Sequence, residues 1–225
     1  MSKLKTLNDA SATAVRGRVV VLSAPSGGGK TTLAQAAITQ TPGLVRSITY
    51  TTRPKRPAEE DGCDYHFISR AAFERKRCRG EFLECAMVHG HLYGTSRLDV
   101  NTLCAQGLDV LLVIDYQGAA TLRRQGLDAL YIFVLPPSLE TLERRLRQRN
   151  SETEATLQRR MAIAPTEMAQ YRHYDYVIIN DDRESAVQQL HAIILADRCR
   201  VERLNRRYPI FAELDGSIDE RVPSP

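Results

Sequence analysis

The sequence predicts an α/β protein built on a doubly wound parallel sheet. Residues 18–33 form a short apolar run, a glycine-rich turn and the start of a helical pattern. Apolar runs at 19–22, 110–114, 130–135 and 176–179 suit buried parallel strands, and helical or inserted sequence separates each run from the next. With 225 residues, 43% of them hydrophobic, the chain is long enough to bury the core of one domain.

The glycine-rich turn has the pattern of a phosphate-binding loop. Glycines let backbone N–H groups converge on an anion, and the helix N-terminus adds positive potential. Lys30 can reach the terminal phosphates of ATP, and Thr31 offers a hydroxyl to Mg²⁺. Ala24 replaces the first glycine of the usual G-x-x-x-x-G-K-[ST] pattern, a mild change because the crowded positions are 27–29. The predicted ATP-binding residues of this P-loop NTPase-type core are Ala24, Pro25, Ser26, Gly27, Gly28, Gly29, Lys30, Thr31 and Thr32.

Three helices have readable ends or faces in the second half of the chain. Pro137 and Ser138 begin one helix, Ser151 and Glu154 form a capping box for the next, and a last helix covers about 182–205. The apolar positions expected to pack in the core are Leu139, Leu142 and Leu146 on the first helix and Val187, Leu190, Ile194 and Val201 on the last.

Charge is nearly balanced, at a net +4, but arginines cluster at Arg53 with Arg56 and across 144–160. Nucleic-acid binding would explain such clusters, yet aromatics are only 6% of the chain and no stacking run interleaves with the arginines. We therefore expect a small phosphorylated substrate and no nucleic-acid partner.

Cysteine spacing and the chain ends bear on the compartment. The five cysteines include no C-x-x-C pair, and no histidine stands at metal-ligand spacing, so we expect reduced thiols rather than disulfides or zinc. Residues 1–16 are predicted to be a flexible extension without an export signal, and 205–225 a C-terminal tail. No segment looks long and apolar enough for a bilayer, so the expected location is cytoplasmic, without a membrane partner. The sequence leaves a homo-oligomer open.

The segment from about 46 to 97 interrupts the alternation of strand and helix. It holds short β-like runs at 47–52, 65–68 and 81–86 between the first helix and the second parallel strand. An insertion at this place is well situated to supply an acceptor site that faces the ATP loop.

Six ordered motifs then make a specific resemblance. They are 47–57 (SITYTTRPKRP), 59–67 (EEDGCDYHF), 81–84 (EFLE), 93–95 (YGT), 114–118 (IDYQG) and 180–182 (NDD). From about Gly17 to Leu204 the chain resembles the guanylate kinases. The resemblance implies transfer of the γ-phosphoryl group of ATP to GMP or dGMP, with Mg²⁺, for guanine nucleotide metabolism. It also implies a core at 17–45 and 98–204, a GMP-binding insertion at 46–97 and a helical lid at about 138–165.

The residues suit these roles chemically. Guanine presents a ring N–H beside an exocyclic amine, so the Glu84 carboxylate can accept both, while the Thr95 hydroxyl can donate to O6. Two guanidinium forks suit a doubly charged phosphate, and tyrosines add phenolic donors. The resemblance places Thr49 and Asp115 near the base as well. The expected GMP-binding residues are Thr49, Arg53, Arg56, Tyr65, Glu84, Tyr93, Thr95 and Asp115.

Catalysis is expected to rest on cations. The acceptor phosphate is already anionic at neutral pH, so no general base is needed and repulsion between two anions must be overcome. Lys30 and Mg²⁺ near Thr31 would neutralise the transferring group, joined by Arg149 and Arg160, which match the lid arginines of the family. Asn180, at the end of an apolar strand, is expected either to contact the adenine side or simply to end that strand.

Two departures from the family pattern stand out. Relatives carry Asp-x-Asp before Gln-Gly, whereas this chain has Val113 in the first position, which predicts a higher Mg²⁺ requirement. Pro165 lies within the expected lid-side helix, where it favours a kink or a new helix start.

Two other functions compete with this one. A kinase of the same fold acting on another phosphorylated acceptor, such as a ribose bisphosphate, would not need the guanine readers Glu84 and Thr95. A catalytically silent binding module of the guanylate-kinase type would not need the intact loop at 27–31.

Overall fold

The computed structural model describes residues 16–88, 90–148 and 154–215. At its centre lies a parallel five-stranded sheet in the order β2-β7-β1-β8-β9. These strands are β1 (Val19–Ser23), β2 (Leu44–Arg46), β7 (Asp109–Val113), β8 (Ala129–Leu135) and β9 (Tyr176–Ile179). The four strands predicted from apolar runs are confirmed. The fifth strand, β2, was missed because it has only three residues.

Helices cover both faces of the central sheet, as the doubly wound prediction requires. The helices of the described ranges are α1 (Lys30–Gln40), α2 (Arg70–Cys78), α3 (Arg97–Ala105), α4 (Tyr116–Arg124), α5 (Leu139–Arg147), α6 (Glu154–Met168), α7 (Arg183–Arg198), α8 (Val201–Arg207) and α9 (Pro209–Asp215), with a 3-10 turn at Ala169–His173. Four of them, α1, α3, α4 and α7, contribute to the two cores of this sheet. Leu33 of α1 and Leu190 of α7 belong to the core on one face. Val100 of α3 and Leu122 of α4 belong to the core on the other. The sheet is thereby buried on both sides, which explains its continuous apolar strands.

The predicted start of α5 is confirmed, but one of its apolar residues was assigned wrongly. The Thr141 backbone N–H donates to Oγ of Ser138, which caps the helix. Leu142 and Leu146 are buried with residues of α6, whereas Leu139 is 42% exposed. Leu139 occupies the first helical position, beyond the reach of the small core that the other two leucines join.

The last predicted helix is in fact two helices. α7 ends at Arg198, and Arg200 has extended backbone (φ −62°, ψ 138°) before α8 begins. Val187, Leu190 and Ile194 are buried as predicted, but Val201 is 65% exposed. The core stripe ends with α7, because the extended residue Arg200 interrupts the helix and with it the spacing of apolar residues along one face.

Pro165 does not start a new helix. α6 continues through it from Glu154 to Met168. Ser151 lies outside the described residues, so the predicted capping box stays a prediction. Glu154 forms a 2.8 Å ion pair with Arg147.

The insertion forms a second, four-stranded sheet in the order β4-β3-β6-β5. Its strands are β3 (Tyr50–Thr51), β4 (His66–Phe67), β5 (Phe82–Val88) and β6 (His91–Ser96). The first two predicted β-like runs contain β3 and β4, the third covers most of β5, and β6 and α2 are additional. Phe73, Phe82 and Leu92 form a small core of their own between α2 and this sheet. The insertion therefore has its own hydrophobic support beside the central sheet.

Two further observations concern the described ranges as a whole. None of the helices there is both long and apolar enough to cross a bilayer. The five cysteines are free thiols, of which Cys104 is buried.

Candidate active site

A cleft of about 750 Å³ opens at the carboxyl edge of the central sheet, the edge at which α/β sheets bind ligands. It is lined by the glycine loop, the ends of β2 and β7, the insertion, the start of α4 and one face of α6. The residues that the sequence predicted and that line this cleft are Ala24, Ser26, Lys30, Thr31, Thr49, Arg53, Arg56, Tyr65, Glu84, Tyr93, Asp115 and Arg160. The structure thus brings the loop and the insertion to one space.

The glycine loop adopts a conformation that requires glycine. Gly27 (φ 86°) and Gly29 (φ 92°) lie in the left-handed region, and Gly29 caps α1. A Cβ on Gly27 would approach within 2.8 Å of Leu146 Cδ2, so α5 packs directly against the loop. Lys30 Nζ donates to the Ile114 carbonyl over 3.1 Å, which draws the ammonium group across the mouth of the loop. Converging N–H groups and this ammonium make an anion site.

Two side chains of α6 contact the loop at Ser26. Arg160 Nη1 donates to Ser26 Oγ over 2.9 Å, and the Ser26 backbone N–H donates to Glu167 Oε2 over 3.1 Å. Arg160 and Glu167 are two helical turns apart and therefore share a face. Sequence analysis missed Glu167; its spacing from Arg160 was the available signal. A carboxylate thus holds one backbone donor of the phosphate loop.

Asn180 supports the backbone of the glycine loop. Its side-chain Nδ2 donates to the Gly28 carbonyl over 2.9 Å, and its backbone carbonyl accepts from Arg145 Nη2 over 2.8 Å. The side chain is buried and faces the loop backbone. The predicted adenine contact of Asn180 stays a prediction.

The wall of the cleft on the insertion side carries a buried carboxylate. Glu84 is 4% exposed, and the Thr95 hydroxyl donates to its Oε1 over 2.6 Å. Burial raises the pKa of Glu84 to about 7, and the nearby charge of Asp115 adds to the rise while the Thr95 hydrogen bonds oppose it. Gly118 of α4 lies against Glu84 Oε2 and leaves no room for a Cβ. The glycine of the IDYQG motif therefore makes space for this carboxylate.

Asp115 and Thr49 line the same cleft as Glu84. Asp115 caps α4, since its Oδ1 accepts from the Gly118 N–H over 3.0 Å, and Thr49 is 5% exposed. The arrangement offers acceptors and hydroxyls to the edge of a planar, hydrogen-bonding ligand.

A basic and aromatic cluster follows along the insertion. Arg53 Nη2 donates to Glu59 Oε1 over 2.6 Å, and its Cζ lies 5.4 Å from the centre of the Tyr65 ring. Burial lowers the pKa of Arg53, but its hydrogen bonds and charge interactions with Glu59 and Tyr93 outweigh this and raise the pKa overall. Arg56 is more open, with a 61% exposed side chain. Glu59, like Glu167, is an acidic residue at an anion site that sequence analysis did not single out.

Metal-ligating residues are few. In the described ranges no group of three or more His, Cys, Asp or Glu side chains is arranged to hold a metal ion. Thr31 is exposed at the first turn of α1, Asp115 lines the cleft, and Val113 occupies the position where a carboxylate was expected. This donor set fits Mg²⁺ only when nucleotide phosphates supply most of the oxygen ligands. Arg149 lies outside the described residues, so its predicted role stays a prediction.

Comparison with known proteins agrees with these features. The guanylate kinase family model matches residues 16–197. A guanylate kinase of Alkalilimnicola ehrlichii is 47% identical over 197 residues, 88% of this chain and 96% of that protein. A guanylate kinase of Symbiobacterium thermophilum is 47% identical over 188 residues, 84% of this chain and 89% of that protein. The crystal structure of guanylate kinase from Anaplasma phagocytophilum superposes with a TM-score of 0.71 at 34% identity, covering 84% of this chain and 90% of that one.

Proposed function

The chain belongs to the guanylate kinase family, and we propose that its cleft is the active site in which two nucleotides meet phosphate to phosphate. The enzyme transfers the γ-phosphoryl group of ATP to GMP and yields ADP and GDP, a step of guanine nucleotide recycling. The proposal assigns the donor to the glycine loop and the acceptor to the insertion. The observation that carries it is the single cleft that joins Lys30 to Glu84.

ATP is assigned to the glycine loop with Lys30 and Thr31. The loop N–H groups would hold the β- and γ-phosphates, and Lys30 would leave the Ile114 carbonyl to reach them. Asn180 would act indirectly, because its amide fixes the Gly28 carbonyl and so the shape of the loop. Arg160 already lies at Ser26, beside the position expected for the γ-phosphate.

GMP is assigned to the insertion. Glu84 would accept the two neighbouring N–H groups of guanine, and Thr49 would border the base. The Thr95 hydroxyl donates to Glu84 and not toward the cleft, so Thr95 would hold the carboxylate in place instead of donating to O6 as the sequence predicted. Arg53, Arg56, Tyr65 and Tyr93 would bind its phosphate. Arg53 forms an ion pair with Glu59, so some of its N–H groups would have to turn from Glu59 to the incoming phosphate. Adenine lacks the paired donors, so it would leave the Glu84 carboxylate uncompensated.

The chemistry asks the protein for positioning and charge rather than proton transfer. The GMP phosphate has a second pKa of about 6 and is an anionic nucleophile at neutral pH. Lys30 and Arg160 would offset the charge that spreads over the transferring group, in a cleft that holds both substrates in line. Arg149 of the lid is proposed for the same task.

Mg²⁺ is the proposed metal. Thr31 would hold it together with the phosphate oxygens, and Asp115 would act through water; when bound, the ion neutralises phosphate charge. We also propose cytoplasmic action on free nucleotides, because ATP and GMP are the substrates of the family.

A coupled assay tests the assignment of the donor site. Lys30→Ala is expected to lower kcat by about 10²-fold or more, because a positioned cation that stabilises the transition state is lost. Lys76→Ala is the matched control, since Lys76 pairs with Glu81 and does not line the cleft. Equal activities of the two variants would refute the role given to Lys30.

A further inference from the structure

We propose that Arg46 is a third arginine of the acceptor phosphate site and binds the 5′-phosphate of GMP together with Arg53 and Tyr65. The inference rests on the proposed function, because it takes the cluster around Tyr65 as the place of that phosphate. Neither the glycine-loop pattern nor the arginine pair of the insertion singled out Arg46, which directly precedes the first motif of the insertion.

The position of Arg46 in the fold directs it to the cleft. It is the last residue of β2, at the carboxyl end of an edge strand of the central sheet. Its side chain lines the same cleft as Arg53 and Arg56. Nη2 donates to the Asp64 carbonyl over 2.9 Å, so a core strand reaches across to the insertion. One hydrogen bond thereby fixes the guanidinium next to Tyr65.

Arg46 and Arg53 both lie near one phenol ring. Their Cζ atoms are 5.6 Å and 5.4 Å from the centre of the Tyr65 ring. Burial raises the pKa of the Tyr65 hydroxyl, and the positive charge of Arg46 is the strongest influence that opposes the rise. Two positive charges near one ring repel each other, and a phosphate bound beside that ring would relieve the repulsion.

The two arginines differ in how far they are already neutralised. Glu59 pairs with Arg53 at 2.6 Å. Within the described ranges, no carboxylate lies within ion-pair distance of Arg46, and its Nε is buried without a hydrogen-bond partner. A buried donor of this kind is costly until an acceptor reaches it. Arg46 therefore brings positive charge and an N–H group that the protein itself does not satisfy.

The charge of the ligand requires such a group. At pH 7 the phosphate of GMP carries between one and two negative charges, and bidentate guanidinium forks suit its oxygens. Arg53 shares its donors with Glu59, and Arg56 is exposed to solvent. Arg46 would then supply a half-buried positive charge that no carboxylate of the described residues neutralises.

The test separates phosphate binding from structural support. KM and kcat for GMP, and the inhibition constant of guanosine as a competitor of GMP, are measured for the wild type, Arg46→Gln, Arg46→Lys and Arg53→Gln. Arg97→Gln is the matched control, because Arg97 also donates to a backbone carbonyl of the insertion, that of Phe82, but does not line the cleft. Thermal melting checks that each variant is folded.

Arg46→Gln is expected to raise KM for GMP about tenfold, the loss of one hydrogen bond to a charged group, with a smaller change in kcat. Guanosine has no phosphate, so its inhibition constant should stay unchanged. Arg46→Lys should recover part of the loss, and Arg97→Gln should behave as the wild type.

Three results would contradict this account, and they are distinguishable. An unchanged KM in Arg46→Gln alongside a raised KM in Arg53→Gln would overturn the role of Arg46 alone. Equal losses for GMP and guanosine would make Arg46 a structural support of the base site. Unchanged KM values in both Arg53→Gln and Arg46→Gln would show that the acceptor phosphate binds elsewhere, against the proposed function.

Discussion

The Thr95 hydroxyl donates a 2.6 Å hydrogen bond to the carboxylate of Glu84, and both side chains are almost completely buried in the wall of the cleft. Gly118 closes on the other carboxylate oxygen, where a side chain would not fit. The pair is therefore fixed before any ligand arrives. A carboxylate held in this way would recognise the edge of one base, because it is not free to rearrange for another.

Removing the hydroxyl tests this pairing. Thr95→Val keeps the shape but leaves the Glu84 oxygen without its donor, and it is expected to raise KM for GMP about tenfold with little change in kcat. Steady-state kinetics with GMP as the varied substrate give the answer. Thr39→Val is the control, since the exposed Thr39 hydroxyl donates only to the Gln35 carbonyl within α1. An unchanged KM in Thr95→Val would remove the hydroxyl from base recognition.

The pKa of Glu84, raised to about 7 mainly by burial, predicts a pH dependence of GMP use. The ionised carboxylate would accept both guanine N–H groups, whereas the protonated form would offer one acceptor oxygen and one donor. With this pKa, Glu84 becomes protonated as the pH falls below 7, whereas an ordinary glutamate would still be ionised. The value of kcat/KM for GMP should therefore fall below pH 7, about tenfold per pH unit. The second pKa of the GMP phosphate, about 6, lies close to that of Glu84, so Glu84→Gln serves as the reference. The pH profile of this variant should show only the titration of the phosphate. Identical profiles for the two enzymes would rule out titration of Glu84.

Because Val113 replaces a carboxylate of the family pattern, we predict a low affinity for Mg²⁺. It lines the cleft at the end of β7, where the family pattern has a carboxylate. Val113→Asp should lower the free Mg²⁺ concentration that gives half-maximal activity, because a second carboxylate beside Asp115 strengthens a site made mostly of phosphate oxygens. A Mg²⁺ titration at fixed ATP measures this, with Val113→Asn as the uncharged control. A half-saturating concentration that stays the same in Val113→Asp would contradict the prediction.

The Glu167 carboxylate is predicted to compete with the phosphates of ATP for a backbone N–H of the glycine loop. Its carboxylate accepts the Ser26 N–H, a donor of the loop that ATP phosphates would use. Glu167→Gln should lower KM for ATP several-fold, because a negative charge that must move aside is lost from beside the incoming phosphates. Glu202→Gln removes an equal charge from α8, where Glu202 pairs with Arg200, and should leave KM for ATP unchanged. A raised KM for ATP in Glu167→Gln would instead make the carboxylate a support of the loop.

Sequence patterns predicted the architecture well where they depend on burial. Long apolar runs marked four strands of the central sheet, and Ser138 marked the start of α5. The three-residue β2 and the exposed Leu139 and Val201 escaped prediction, since strand pairing and the end of a core depend on neighbours distant in sequence.

The candidate site shows the same limit. Motifs predicted the residues that would touch nucleotides, such as Lys30 and Glu84. Glu167 and Arg46 were missed, because their importance comes from contacts made by folding: Glu167 with Ser26, and Arg46 with Tyr65. The spacing of Glu167 from Arg160 indicates a shared helix face, but not that this face contacts Ser26.

The acceptor preference of Glu84→Ala tests the central assignment most directly. kcat/KM is measured with ATP, Mg²⁺ and each of GMP, AMP, CMP and UMP for this variant and the wild type. If the Glu84 carboxylate reads guanine, the variant loses about 10²-fold or more with GMP, and its preference for GMP over AMP narrows accordingly. An equal loss with every acceptor, or no loss with GMP, would contradict the account.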